Sequence, residues 1–198
     1  MAKAKNPTDA KRKLIQIERR EAYKEPPPLP SIGGPYGVIY ADPPWMYEFS
    51  SDPVDSIESH YDTMSLQEIC ELPVAEIAEK DCVLFLWATS PKLEEAISVL
   101  NAWGFTYKTC GVWDKEHIGM GYYFRQRHEI LLIGVKGSPG TPLQEDRPDS
   151  VYSEKKTTHS TKPEYYYGMI ERMYPHLSKV ELFCRTPREG WAVWGNEV

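Results

Sequence analysis

The sequence predicts a three-layer α/β sheet with helices on both faces, held in a single domain. Three observations carry this. Apolar runs of strand length alternate with stretches of helical spacing, the run Cys82 to Ala88 is apolar throughout and so reads as a buried central strand, and 198 residues allow one sizeable core. No internal repeat competes with that reading.

The first 35 residues stand apart. Lys11 to Lys24 can form a charged helix anchored only by Leu14, Ile15 and Ile17, and Pro26-Pro27-Pro28 then breaks it. Residues 1–35 therefore read as a basic arm plus a proline-rich linker, either solvated or touching phosphates or a partner subunit, and residues 36–198 as the folded domain. Gly33, Gly34 and Gly37 lead into a first strand, Val38-Ile39-Tyr40-Ala41. Met46 to His60 is polar and aperiodic, a long loop beside whatever site follows that strand. Ser65 with Glu68 three residues on is a capping box opening a short helix to Leu72. After the central strand, Pro91 opens a helix whose Leu93, Ile97, Leu100 and Trp103 follow helical spacing, and Gly104 closes it. Strands are expected at Phe105 to Trp113 and Glu129 to Val135, joined by a polar loop, Asp114 to His128. Gly137 to Thr161 reads as a surface excursion. Thr161 is the expected cap of a helix with Pro163 in its first turn and Tyr166, Met169, Ile170 and Met173 as its apolar face. Short strands at Lys179 to Phe183 and Trp191 to Trp194 end the chain.

The net charge of −6 argues against a protein that coats nucleic acid nonspecifically, but eight Lys or Arg against four acids in the first 25 residues concentrate positive charge at one end. Cys70, Cys82, Cys110 and Cys184 are too scattered for a zinc site and read as reduced core thiols. His60, His117, His128, His159 and His176 form no cluster in sequence, so no metal is assigned. No apolar run reaches the length of a membrane span and no secretion signal is visible, so a cytoplasmic setting is expected.

Asp42-Pro43-Pro44-Trp45, directly after the first strand, is the motif most suggestive of chemistry. In open α/β sheets, ligands bind beyond the carboxyl ends of strands, which is where Asp42 falls. An exocyclic base amine is a poor nucleophile because its lone pair is delocalised into the ring, and two fixed acceptors would draw it toward tetrahedral geometry. Asp42 supplies one. The Pro43 carbonyl can be the other, since Pro44 has no N–H to continue a ladder. The Trp45 face suits stacking of a flipped purine. The plainer reading is that Asp-Pro-Pro merely stops a strand.

In company, the motif is one of several ordered blocks: Ala41 to Trp45; Tyr61 with Thr63-Met64-Ser65; Phe85-Leu86-Trp87-Ala88-Thr89; Leu100 through Trp103-Gly104-Phe105; Gly134-Val135-Lys136-Gly137; Lys162-Pro163 with Tyr167 to Arg172; and Glu181 to Arg185. Together they resemble the adenine-N6 methyltransferase family that includes the catalytic large subunit of the mRNA adenosine methyltransferase and its microbial relatives. The resemblance spans roughly residues 36 to 197, and it implies a Rossmann-like methyltransferase domain over 36–198. It also implies S-adenosylmethionine as methyl donor and Asp42, Pro43, Pro44 and Trp45 as the catalytic motif. Asp42, Lys162, Glu181, Phe183, Arg185 and Asn196 match cofactor-site positions; a cation near a helix start suits the cofactor carboxylate, and an acid at a strand end suits ribose hydroxyls. Residue by residue there are plainer readings: an exposed helix-start lysine, a solvated Glu181 paired to Arg185, an Asn196 that ends a strand.

Beyond Arg185 the chain is shorter than the eukaryotic pattern and lacks its His-Asn pair, and only the arm and linker precede Tyr36, so the likeness is to the compact bacterial and phage branch. DNA is accordingly the favoured substrate, with RNA as the alternative and a non-catalytic nucleic-acid-binding subunit as a further one. Lys115, Arg125 and Arg127 are candidates for backbone phosphates, or solvated loop charges. A homodimer or a partner subunit fits the lack of room for a large recognition domain.

Overall fold

A computed structural model describes residues 28–47, 63–121, 123–155 and 161–195. The arm helix, nearly all of the loop from Met46 to His60, Tyr61, His159 and Asn196 lie outside the described residues. In chain order the elements are β1 (Tyr36–Ala41), α1 (Leu66–Glu71), α2 (Val74–Ile77), β2 (Ala78–Ala88), α3 (Leu93–Ala102), β3 (Thr106–Asp114), β4 (His128–Lys136), β5 (Val151–Ser153), α4 (Tyr165–Met173), β6 (Lys179–Leu182) and β7 (Ala192–Trp194). The strands make one seven-stranded sheet in the order β5-β3-β4-β2-β1-β6-β7. Strand β1 runs parallel to β2 and β6, and β7 parallel to β6, whereas β4 is antiparallel to both β2 and β3.

Strand alternation divides the interior into two layers. Ile39, Ala41, Leu84, Leu86, Ala88, Val180 and Leu182 point to one face, where Ile69, Val74, Ile77, Ala96, Val99, Leu100 and Trp103 cover them. Val38, Tyr40, Val83, Phe85, Trp87 and Leu131 point to the other, under Tyr166, Met169 and Ile170 of α4. Because both faces are covered, β2 needs apolar residues at consecutive positions, which is why Cys82 to Ala88 shows no alternation. The expected three-layer α/β architecture is the one observed.

Local details follow the sequence with some corrections. The capping box forms as expected: Ser65 Oγ accepts the Glu68 N–H at 3.3 Å, and Glu68 Oε2 accepts the Ser65 N–H at 2.8 Å. Pro91 lies in a 3₁₀ turn, Ser90–Lys92, and the buried stripe of α3 is Ala96, Val99 and Leu100, with Trp103 just beyond its end, rather than one starting at Leu93, which is 39% exposed. The turn ahead of α3 sets its phase, and small Ala96 lets the helix approach the sheet. Thr161 does not cap α4. The helix starts at Tyr165 after Glu164, with no side-chain cap, so Lys162 and Pro163 form its lead-in. The excursion after Gly137 contains β5, an edge strand of three residues whose two exposed ends left no alternation to read.

The sheet also creates a crevice. Neighbours β2 and β6 flank β1, yet the helices preceding β2 lie on one face and α4, preceding β6, lies on the other. Elements on opposite faces thus meet around β1, the arrangement in which α/β sheets place a ligand beyond the carboxyl ends of their strands.

Candidate active site

Parity aims the side chains. Asp42 continues the Val38 and Tyr40 series and so belongs to the α4 side of the sheet. Tyr40 registers with Glu181 on β6, while Ala41 registers with Leu86, which puts Trp87 level with Asp42. Trp87 in turn registers with Leu131 on antiparallel β4, and Glu129, two residues earlier, shares its face. Four strands thus send Asp42, Trp87, Glu129 and Glu181 to the same end and the same face.

Lys162 joins three of these groups. Its Nζ lies 2.5 Å from Asp42 Oδ2, 3.3 Å from Glu129 Oε2 and 5.2 Å from the centre of the Trp87 ring, and its side chain is only 10% exposed. Glu129 is also paired to Lys115 at 3.2 Å, so the row Asp42, Lys162, Glu129, Lys115 alternates in sign. Burial pulls the Lys162 ammonium down, but the carboxylates of Asp42 and Glu129 outweigh it and hold the proton on. Burial pushes Glu129 up, and the two lysines outweigh that and hold it below the usual carboxylate range. At Asp42 burial prevails over Lys162 and, with Glu129 adding to it, the carboxyl is raised.

The two prolines do what a motif at a strand end requires. Pro43 O accepts the Trp45 N–H at 2.9 Å, and Pro44 O accepts the Met64 N–H at 2.9 Å, so the chain turns away from the sheet at once. A carbonyl has two lone pairs, so this bond leaves Pro43 O one further acceptor position. Trp45 differs from the expectation of an open stacking face. Its indole is 6% exposed, packs in the core on the α1 and α3 side, and donates from Nε1 to Trp87 O at 3.2 Å. Its ring is spent on holding the motif against β2. Aromatic groups on the Asp42 side include Trp87, whose Nε1 donates to Tyr40 OH at 2.7 Å, and Trp113, which meets Trp87 edge-on at 6.2 Å.

Glu181 is buried, not solvated. Its Oε1 accepts from Tyr167 OH at 2.8 Å, its Oε2 has no hydrogen-bond partner, and burial raises its carboxyl above the usual range. A buried polar atom left without a partner beside a ligand crevice is an anomaly that a ligand hydroxyl would remove.

The MT-A70 family model matches residues 36–197, which covers the whole sheet and every strand end just described. The chain belongs to the MT-A70 family. It is therefore a methyltransferase of Rossmann-like fold. Among curated MT-A70 relatives, the type II methyltransferase M.MunI of a Mycoplasma species is 35% identical over 181 residues, covering 82% of this chain and 78% of that protein. The catalytic subunit METTL3 of human N(6)-adenosine-methyltransferase is 32% identical over 178 residues, covering 85% of this chain but 29% of its own length. An Arabidopsis N(6)-adenosine-methyltransferase MT-A70-like protein is 31% identical over 177 residues, covering 84% of this chain and 24% of its own.

Within the MT-A70 domain, the structure brings Asp42 and Lys162 into contact and sets Glu181 on the strand beside them. Phe183 follows β6 in a left-handed turn, φ 63°, with its ring edge-on to Trp194 at 5.3 Å, and Arg185 lies exposed just beyond, near enough to lower the Asp42 carboxyl slightly. Asn196 is outside the described residues. Of the three loop cations, Lys115 is bound to Glu129 and Arg127 to Asp114, while Arg125 Nε reaches Gly119 O at 3.4 Å. Residues that sequence reasoning missed are Glu129, Trp87, Trp113 and Tyr167. A cavity of ≈ 240 Å³ lined by Trp113, Glu154, Lys155, Lys162 and Pro163 adjoins this group. Among the described residues no cluster of metal-ligating side chains is present, and no helix is long and apolar enough to cross a membrane.

Proposed function

We propose that this MT-A70 chain is an S-adenosylmethionine-dependent adenine-N6 methyltransferase acting on DNA. The reading is carried by one observation: the Asp42 carboxylate, which opens Asp-Pro-Pro-Trp at the end of β1, is held by Lys162, which also bridges it to Glu129. Asp42 accepts one N–H of the adenine amine and the free lone pair of Pro43 O accepts the other, so the nitrogen lone pair is turned out of conjugation. Orientation of this kind is the main catalytic contribution, and the transfer goes directly to the amine with no covalent enzyme intermediate. The amine proton passes to Asp42 or to water. Asp42 must be ionised for this, and Lys162 favours that form against the burial that opposes it.

The residues present fit the cofactor. The buried, unpartnered Glu181 Oε2 offers a site for ribose hydroxyls, and the Lys162 ammonium meets a carboxylate. When bound, S-adenosylmethionine supplies an electrophilic methyl group on a sulfonium. DNA is preferred because M.MunI is both the more similar relative and one of comparable length, 78% covered against 29% for METTL3.

The test is incubation of the purified protein and labelled cofactor with duplex DNA, single-stranded DNA and RNA, followed by quantification of N6-methyladenine. Product on DNA is expected, and Asp42→Ala should abolish it while cofactor binding by calorimetry survives. Product on RNA alone would replace the DNA reading; no product on any substrate would reject the reading of the isolated chain as an enzyme.

A further inference from the structure

The link between β3 and β4 is a built finger rather than a slack loop. Lys115 N–H donates to Arg127 O at 2.8 Å, Gly119 N–H to Gln126 O at 2.7 Å, and Gln126 N–H to Met120 O at 3.4 Å. The two sides come so close that a Cβ at Gly119 would lie 2.9 Å from Gln126 O, and one at Gly121 only 2.0 Å from Phe124 O. Its base is stapled twice, by Arg127 to Asp114 and by Lys115 to Glu129. At the far end Met120 is 92% exposed, Tyr123 97% and Phe124 79%. Large apolar side chains held in water by a shaped backbone call for an occupant.

The finger's root identifies it. Glu129, at the start of β4, is also the carboxylate that holds Lys162 against Asp42, so the finger rises from the rim of the catalytic group. The root of the finger is thus tied directly to the charge row that holds Asp42. Of the finger's three cations, Lys115 and Arg127 are tied to Glu129 and Asp114 at its base, and Arg125 follows Phe124 directly at the tip end. A cation beside exposed apolar groups is the chemistry of a wedge that meets a phosphate and enters a base stack.

We infer that the Met120, Tyr123 and Phe124 tip inserts into duplex nucleic acid and fills the gap left when the target adenine swings out to Asp42. This rests on the base-methyltransferase reading above and specifies that the substrate is paired. Extruding a base costs stacking and pairing, and the wedge offsets that by replacing the lost stacking partner. Substrates whose adenines are already unpaired need no wedge.

The full chain and a Tyr123→Ser/Phe124→Ser variant are compared on one DNA sequence in three forms: fully paired, paired but with abasic residues opposite the adenines, and single-stranded. Thermal melting and cofactor calorimetry check that the variant is folded. The inference expects methylation of the paired duplex to fall about 10- to 100-fold, with changes within about threefold on the other two forms. Equal loss on all three would make the tip a general stacking platform and overturn the wedge, as would an unchanged rate on the paired duplex. Wild-type product on unpaired strands alone would also overturn it while leaving the methyltransferase reading intact, and wild-type inactivity on every form would remove that reading and the wedge with it. A variant that passes from dimer to monomer on gel filtration would assign the tip to a subunit contact instead.

Discussion

Replacing Lys162 by Met tests the charge row directly. Met keeps an apolar stem of similar length, so packing against Trp87 is largely preserved and the change is the loss of one buried cation. That cation lies 2.5 Å from Asp42 and 3.3 Å from Glu129. Removing one partner of a buried ion pair costs about 3–5 kcal/mol because the remaining charge is left uncompensated. Here Glu129 retains Lys115 at 3.2 Å and the Asp42 side chain keeps 28% of its surface exposed, so the lower end, about 3 kcal/mol, is expected. For a chain of this size that is a fall in Tm of about 6–12 °C.

The pH dependence supplies the sign. In the wild type Glu129 is held below its ordinary value of 4.5, so its contribution is present above that pH and is lost as pH falls through the folded value. Lys162 is held above 10.5, so its contribution is complete throughout the acid and neutral range. Without Lys162 both carboxyls rise and protonate more readily in the folded state. A group raised in this way contributes stability at low pH and loses it as pH rises. The deficit of Lys162→Met should therefore be full at neutral pH and shrink on acidification. Denaturant titrations of both proteins from pH 4 to pH 8 measure it. A deficit under about 1 kcal/mol at neutral pH, or one that is the same at both ends, would refute the buried-pair argument.

Three further outcomes are expected. Tyr40→Phe removes the acceptor of the buried Trp87 indole N–H, which sits 2.7 Å away, and should cost about 1–3 kcal/mol by urea unfolding; a change near zero would mean the indole finds another partner. Gly134→Ala places a methyl group 2.9 Å from Leu100 Cδ1 and 3.1 Å from Phe105 Cβ, between β4 and α3, and should cost about 1–3 kcal/mol in the same assay, since neither neighbour is free to move far. The acid limb of methyl transfer should lie above the ordinary Asp value of 3.8, because burial raises Asp42, and Glu129→Gln should move that limb to lower pH by removing a neighbouring negative charge. A limb that moves upward in Glu129→Gln would show that the row acts through something other than charge.

Much of the fold was legible because its physical causes are local. The capping box at Ser65 and Glu68, the apolar run of β2 and the Tyr166, Met169, Ile170 stripe of α4 each depend on residues within a few positions of one another. The errors also have local causes. The phase of α3 depends on a 3₁₀ turn around Pro91 that helical spacing alone does not reveal, and β5 is an edge strand too short and too exposed to carry a pattern. Thr161 looked like a cap because its residue type favours one, but Glu164 occupies the position where the helix begins.

The site divides along the same line. Asp42 was legible because Asp-Pro-Pro marks its own strand end, and Lys162 because the likeness to relatives pointed to it. Glu129 carried no such mark: in sequence it is an acid near the start of an apolar strand, the usual place for a solvated charge. Its role depends on β4 running antiparallel to β2, which brings the beginning of one strand beside the end of the other. Had β4 been parallel, Glu129 would lie at the opposite edge of the sheet from Asp42, and Lys162 would have a single carboxylate to meet. The direction of one strand thus decides whether Asp42 belongs to a pair or to an alternating row of four charges, and strand direction is a property of the assembled sheet rather than of any stretch of residues.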